Sequence, residues 1–246
     1  YAQRIQFNLL PNERLFDEHF EDHFIMFSPK DIVSGDFYWT QKIENKLVLV
    51  LGDCTGHGVP GAFMTLLGIN LLNNIVLEAR LTEPGTILTE LDNRLEEYFG
   101  ATGKARMSDG MELTICVMDV KKEEIAYACA GSRFLIHNND GFTLYKGNTQ
   151  HIGDRKSSDF KGYSTFYTNL TAKDTVYLFT DGFQDQFGGP KNKKHSFRRM
   201  LDLFESNVNL SLEDQRMMIE GEFDQWMSNQ PQTDDVTVIG IQRKLT

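Results

Sequence analysis

The chain has 246 residues, with 35 Asp+Glu against 25 Lys+Arg and a formal charge of −10. Hydrophobic residues make up 40% and charged residues 24%, the balance of a soluble globular protein long enough to bury a sizeable core. The acidic excess argues against a general nucleic-acid binder, which needs a basic face, and against electrostatic attachment to anionic lipid. It is compatible with a site that concentrates carboxylates, as sites for hard cations do.

The first ten residues read as a helix, with Ala2, Ile5 and Leu9 at helical spacing and Pro11 ending it. The chain opens on Tyr, and this helix is expected to be a connector over residues 1–20 to an upstream regulatory region, able to pair with its copy in a dimer. Residues 21–246 then form one domain, with no repeat and no Pro/Gly/Ser-rich linker to divide it. A weak helical stretch near Leu15–Phe20 precedes strand signals at His23–Phe27, Asp36–Gln41 and Lys46–Leu51, with Glu44-Asn45 as a hairpin turn. Helices are expected at Pro60–Arg80 and Gly85–Phe99, the latter with Ile87, Leu88, Leu91 and Leu95 on one face.

Ala101–Gly110 reads as a polar, mobile connection. Strands return at Glu112–Val120, Glu124–Cys129, Phe134–His137, Phe142–Tyr145, Ser164–Thr168 and Thr175–Thr180. Lys193–Ser206 and Leu212–Met227 read as helices, and Val236–Gln242 closes the chain as a strand. Strands and helices come in blocks, which predicts an α+β fold of mainly antiparallel sheets with helices packed outside.

No signal-peptide core is present in Tyr1–Leu10. Gly58–Leu77 is uncharged and nearly long enough to cross a bilayer. Pro60, Thr65, Asn70, Asn73 and Asn74 within it, and the lack of a flanking basic cluster, predict a core helix instead. Cysteine is sparse (Cys54, Cys116, Cys129), odd in number and without C-x-x-C, so no disulfide framework is expected. Cys116 and Cys129 lie in apolar strand-like runs and read as buried thiols, which fits a reducing, cytoplasmic setting.

The candidate chemistry lies in aspartates at strand ends: Asp36 in Ser34-Gly35-Asp36, Asp53 at the end of the Leu47–Leu51 run, Asp181 before Gly182, and Asp234-Asp235 before the last strand. Each alone is also an ordinary turn former. Together, such carboxylates repel unless protonated or shared by cations, and oxygen-only ligands select Mg²⁺ or Mn²⁺.

Five stretches carry a resemblance. They are Lys30-Asp31-Ile32-Val33-Ser34-Gly35-Asp36-Phe37-Tyr38-Trp39, Gly52-Asp53-Cys54-Thr55-Gly56-His57-Gly58-Val59-Pro60-Gly61, Cys129-Ala130-Gly131, Phe179-Thr180-Asp181-Gly182 and Asp234-Asp235-Val236-Thr237. In this order the sequence resembles the SpoIIE-type serine phosphatases, a branch of the metal-dependent 2C-like (PPM) protein phosphatases. The resemblance implies an αββα sandwich of two face-packed sheets with a two-metal site at one edge, and hydrolysis of phosphoserine or phosphothreonine by a water that two Mn²⁺ or Mg²⁺ ions activate.

Carried over by motif, Asp53 bridges both metals, the Cys54 carbonyl joins one, Asp181 binds one and Asp234 the other. Asp36 belongs to the same cluster directly or through water, and Asp235 stands where many relatives carry Asn. Gly56 and Gly58 allow close backbone approach, and a helix starting near Pro60 points its N-terminus at this loop, an end that suits an anion. The substrate implied is a phosphorylated STAS-type anti-sigma-factor antagonist, and the protein would be the output domain of a bacterial signalling chain with a sensor or receiver upstream.

Two departures from eukaryotic relatives stand out. No Arg beside Asp36 matches the one that holds phosphate there, and Lys30, Gly56, His57 and Gly58 are the residues expected to bind phosphate instead. His57 lies four residues after Asp53, not two, so it does not inherit a general-acid role by position. Lys191, Lys193, Lys194, Arg198 and Arg199 read as a solvated loop or, more sharply, a docking patch for an acidic partner. His19 and His23 read as surface residues, Trp39 and Trp226 as core. The alternative reading is a catalytically weak partner-binding module of the same fold; loss of a metal aspartate would favour it, and none is lost. A two-metal phosphodiesterase or cyclase would need a base-recognition pocket that no motif supplies.

Overall fold

A computed structural model describes residues 1–100, 110–153 and 160–244. The expected connection at Ala101–Gly110 therefore lies outside the described residues except for Gly110. In chain order the major elements are α1 (Ala2–Leu9), α2 (Glu13–His19), β1 (Phe20–Ser28), β2 (Asp36–Ile43), β3 (Lys46–Cys54), α3 (Gly58–Leu72), α4 (Pro84–Gly100), β4 (Met111–Asp119), β5 (Glu124–Ala130), β6 (Arg133–Asn138), β7 (Gly141–Lys146), β8 (Phe166–Asn169), β9 (Thr175–Phe179), α5 (Gly182–Asp185), β10 (Phe187–Gly188), β11 (Lys193–Lys194), α6 (Phe197–Asn207), α7 (Leu212–Met227) and β12 (Val236–Arg243). Two five-stranded antiparallel sheets result, one in the order β1-β12-β9-β6-β7 and the other β2-β3-β4-β5-β8. This is the expected sandwich of two sheets flanked by helices.

Strand periodicity explains the layering. Along β3, Leu47, Leu49 and Leu51 point between the sheets, where they meet Phe134, Ile136, Leu178, Ile239 and Ile241 of the other sheet. Val48 and Val50 alternate to the opposite face and pack under α3 and α4 with Ile75, Leu88 and Leu91. On the far side Tyr177, Val236 and Val238 meet Phe204, Ile219 and Phe223 of α6 and α7. With apolar layers on both faces, the central strands read as continuous hydrophobic runs. Cys54, Cys116 and Cys129 are buried free thiols.

The Glu44-Asn45 turn closes β2 on β3 with Ile43 opposite Lys46, and Glu44 takes the positive φ of 54° that such two-residue turns need. Asn12 caps α2 by accepting from the Leu15 N–H. The Gly58–Glu78 stretch, apolar and long enough to cross a membrane, packs on the second sheet as anticipated for a core helix, with Leu71, Leu72, Ile75 and Val76 buried.

The expected single helix over Pro60–Arg80 is instead α3 followed by a π-helical segment at Asn73–Glu78. There Ala79 donates to the Asn74 carbonyl at 3.0 Å, while the Asn73 side chain accepts from the Trp39 indole at 3.0 Å. The helix expected at Lys193–Ser206 begins only at Phe197. Lys193 and Lys194 pair with Gly188 and Phe187 because His195 is drawn inward, its ring edge-on to Phe183 and Trp226. Neither His19 nor His23 is a surface residue: both are half-buried, with the His23 ring 5.3 Å from that of Phe16. Trp39 is core, whereas Trp226 is half-buried under the Arg199 guanidinium.

Candidate active site

The two sheets present their strand ends together at one edge, and pairing register decides what stands there. Asp36 is directly opposite Asp53, and Asp53 directly opposite Glu112. Opposed residues in antiparallel strands share a face, so β2, β3 and β4 set three carboxylates side by side. Asp53 continues the inward parity of Leu47, Leu49 and Leu51. The row therefore looks across at the other sheet, where Asp181 follows β9 and Asp234 precedes β12.

A cleft of about 230 Å³ opens at this edge, lined by Asp53, Glu112, Asp181, Asp234, His151 and the Cys54–Gly56 loop. Of the residues singled out in the sequence, Asp53, Cys54, Gly56, Asp181 and Asp234 line it. Asp36 stands behind, fully buried, its Oδ2 accepting from the Thr180 and Thr237 hydroxyls at 2.7 Å each. Those two threonines have the inward parity of the facing sheet, so Asp36 joins the sheets across the core.

Asp235 is arranged differently. Its Oδ1 accepts from the Lys30 N–H and its Oδ2 from the Gly35 N–H, both at 2.7 Å. Lys30 thus meets the cluster through its backbone. His57 occupies the N-cap position of α3 outside the cleft lining without a side-chain capping bond, its Nδ1 2.6 Å from Asp31 Oδ2, and Gly58 has a φ of +66° with the Asp31 carboxylate packed where a side chain would extend. Lys191, Lys193 and Lys194 are exposed, and Lys194 is paired with Asp185 at 2.6 Å.

The loop geometry depends on an absent side chain at Gly35. A Cβ there would lie 2.5 Å from the Gly56 carbonyl oxygen and 3.0 Å from that of Cys54. Only hydrogen lets the loop after β3 fold down onto the residue before Asp36, and the Cys54 N–H seals the contact by donating to the Gly35 carbonyl at 3.2 Å. From the other side Gln6 of α1 brackets Ser34, donating to its carbonyl at 2.6 Å and accepting its N–H at 2.9 Å.

Burial and crowding push the carboxyl groups up in pKa. Asp36 rises from 3.8 to about 8, driven first by burial, with the two threonine bonds opposing and Asp235 and Asp234 adding to it. Burial drives Asp53 well above the carboxylate range, reinforced by Asp36, Asp181, Asp234 and Glu112. Asp181 rises to about 6 through burial and the charges of Asp185, Asp234 and Glu112, with Lys194 opposing. Glu112 is raised by burial and held back by His151, 3.4 Å away, and by Arg133. Such an oxygen-only cluster is what hard divalent cations stabilise. Among the described residues no three of these side chains already close on one point as a cage; they line the walls.

Glu112, His151 and Arg133 belong to none of the sequence motifs that point to the site. Glu112 carried a usable signal, a charged residue at the inward parity of a strand whose other inward positions are Thr114, Cys116 and Met118.

Residues 43–244 match the family model "Stage II sporulation protein E (SpoIIE)". The chain belongs to the SpoIIE family. A PP2C domain of SiaA from Pseudomonas aeruginosa superposes with a TM-score of 0.89 at 28% identity, covering 99% of this chain and 95% of that one. The RsbU and RsbW domains of Rv1364c from Mycobacterium tuberculosis align at TM-score 0.71 and 21% identity, covering 91% of this chain and 60% of theirs. The phosphatase domain and regulatory fragment of SpoIIE from Bacillus subtilis align at 0.71 and 17%, covering 90% of this SpoIIE-family chain and 62% of that one. No curated protein matches by sequence.

Proposed function

We propose that this SpoIIE-family domain is a divalent-cation-dependent phosphatase that hydrolyses phosphoserine or phosphothreonine on a signalling protein. The observation that carries this reading is the pair Asp53 and Glu112, backed by the buried Asp36 of the same row and faced by Asp181 and Asp234 across one cleft. The aspartate donors and the Cys54 carbonyl are all oxygen, with His151 the single imidazole of the lining and set against Glu112, which favours Mn²⁺ or Mg²⁺. Asp53, Asp181 and Asp234 would hold two such ions, with the Cys54 carbonyl and Asp36 beside them. Bound there, the ions would supply an activated water and neutralise charge on the phosphoryl oxygens.

The chain's own groups orient this chemistry. Thr180 and Thr237 fix one oxygen of Asp36 and leave its carboxyl a single orientation. Asp235 fastens the 30–35 loop through two backbone amides, and we assign it that role in place of metal binding. His151 lies at the cleft wall 3.4 Å from Glu112, and we assign it the protonation of the departing alkoxide. His57, held by Asp31, shapes the loop.

The substrate we favour is a phosphorylated STAS-type protein in a cytoplasmic partner switch, with an upstream sensor or receiver acting through α1. That helix exposes Ile5, Phe7 and Leu9, each more than two-fifths accessible, which supports pairing with a second copy. Lys191 and Lys193 are exposed beside Lys194, which pairs with Asp185 of α5, and they support docking of an acidic partner. The test is phosphate release from a phosphorylated STAS-type protein with Mn²⁺, with and without chelator. Release that stops on chelation is expected; equal rates in both conditions would overturn the assignment.

A further inference from the structure

Beside the acidic cleft lies a second cavity of about 230 Å³ that shares the walls Asp53, Glu112 and Asp181. Its opposite wall is Arg133, the first residue of β6, delivered there by the turn that carries the chain from one sheet to the other. Gly131 in that turn has a φ of +74° and no Cβ to meet the His151 ring 3.0 Å away, so the crossing is tight and Arg133 emerges at the cleft edge. We propose that Arg133 is the residue that grips the phosphoryl group of the substrate, in the cavity next to the carboxylate cluster. This rests on the phosphatase reading above.

Three observations carry it. Arg133 is the only Lys or Arg among the described residues lining either cavity. It shares one cavity with Asp53, Glu112 and Asp181, yet among the described residues it forms no ion pair with any carboxylate. Its guanidinium is also pre-set: it lies 4.5 Å from the centre of the Phe197 ring and donates Nη2 to Gln184 Oε1 at 2.8 Å. A guanidinium stacked on a ring and tied at one nitrogen keeps its remaining N–H donors in a fixed plane, the arrangement that suits a tetrahedral oxyanion. With no carboxylate paired to it among the described residues, Arg133 keeps donors free for an anionic ligand, and phosphate is the anion this site would handle.

The experiment uses the Mn²⁺-loaded full chain with Arg133→Ala and Arg133→Met, the latter keeping an apolar stem against Phe197. Inorganic phosphate is the probe, read by calorimetry as direct binding and by kinetics as competitive inhibition. Phosphate affinity should fall at least about tenfold in both variants, the worth of a charge-assisted hydrogen bond. KM for the phosphoprotein should rise, while the Mn²⁺ concentration for half-maximal thermal stabilisation stays at the wild-type value. Unchanged phosphate affinity in the folded Met variant, or no phosphate binding by the wild type, would overturn the proposal. Weakened phosphate binding in a chain that hydrolyses nothing would support Arg133 and sink the phosphatase reading instead.

Discussion

Replacing Asp36 with Asn should stabilise the metal-free protein at alkaline pH while impairing the site. The buried carboxyl has its pKa raised from 3.8 to about 8, so the folded state binds its proton more tightly than the unfolded state does. Stability from this group is therefore complete below about pH 4 and is lost as pH rises through about 8. At about 1.4 kcal/mol per unit the full span is roughly 6 kcal/mol; relaxation of the buried site and water penetration offset about half, leaving about 3 kcal/mol. Asn can accept both threonine hydroxyls on its own oxygen, and its NH₂ falls in the field of Asp235 and Asp234, which favours a donor. In chelator at pH 8.5 the variant should melt about 6–12 °C above the wild type, and at pH 4 the two should nearly coincide. Mn²⁺ should raise the wild type more than the variant. A gap that is absent, or that does not grow with pH, would refute the account of Asp36 as an uncompensated buried charge.

Asp53→Asn should abolish Mn²⁺-dependent phosphate release and leave the melting temperature in chelator no lower than wild type; full activity would remove Asp53 from the site. Gly35→Ala should lower both the melting temperature and the affinity for Mn²⁺, because the new methyl would meet the Gly56 carbonyl at 2.5 Å; an unchanged Mn²⁺ titration would contradict the packing argument. Gln6→Ala strips two hydrogen bonds from the Ser34 backbone and should cost about 1–3 kcal/mol, read in urea titrations. Reversing charge at Lys193 and Lys194 should raise KM for the phosphoprotein and leave turnover of a small aryl phosphate alone. Equal effects on both substrates would dispose of the docking patch.

The sheets were legible because burial on both faces leaves long apolar runs, and because Glu44-Asn45 is chemistry that a two-residue turn requires. What the sequence could not announce were features imposed from a distance. Nothing local marks Lys193-Lys194 as a strand. Their pairing follows from His195, whose N–H donates to the Gln186 carbonyl at 2.9 Å and whose ring fills space between Phe183 and Trp226. The π-helical turn at Asn73–Glu78 likewise answers to Trp39, which lies on another element and takes the Asn73 side chain as its indole partner.

The site divides along the same line. Asp36, Asp53, Asp181 and Asp234 each end or precede a strand beside a glycine or a second acid, and that local pattern is readable. Which of two adjacent aspartates faces the cleft is not, because it depends on what the neighbouring loop needs. Asp235 gives both oxygens to the Lys30 and Gly35 amides, while Asp234 is left exposed at the cleft wall. Glu112 and Arg133 enter only through pairing register and the turn between sheets, quantities that belong to two strands at once. The formal charge of −10 follows the same logic. A share of it is concentrated by register into a row of three carboxylates, and such a row persists in a folded chain only where protons or cations compensate it.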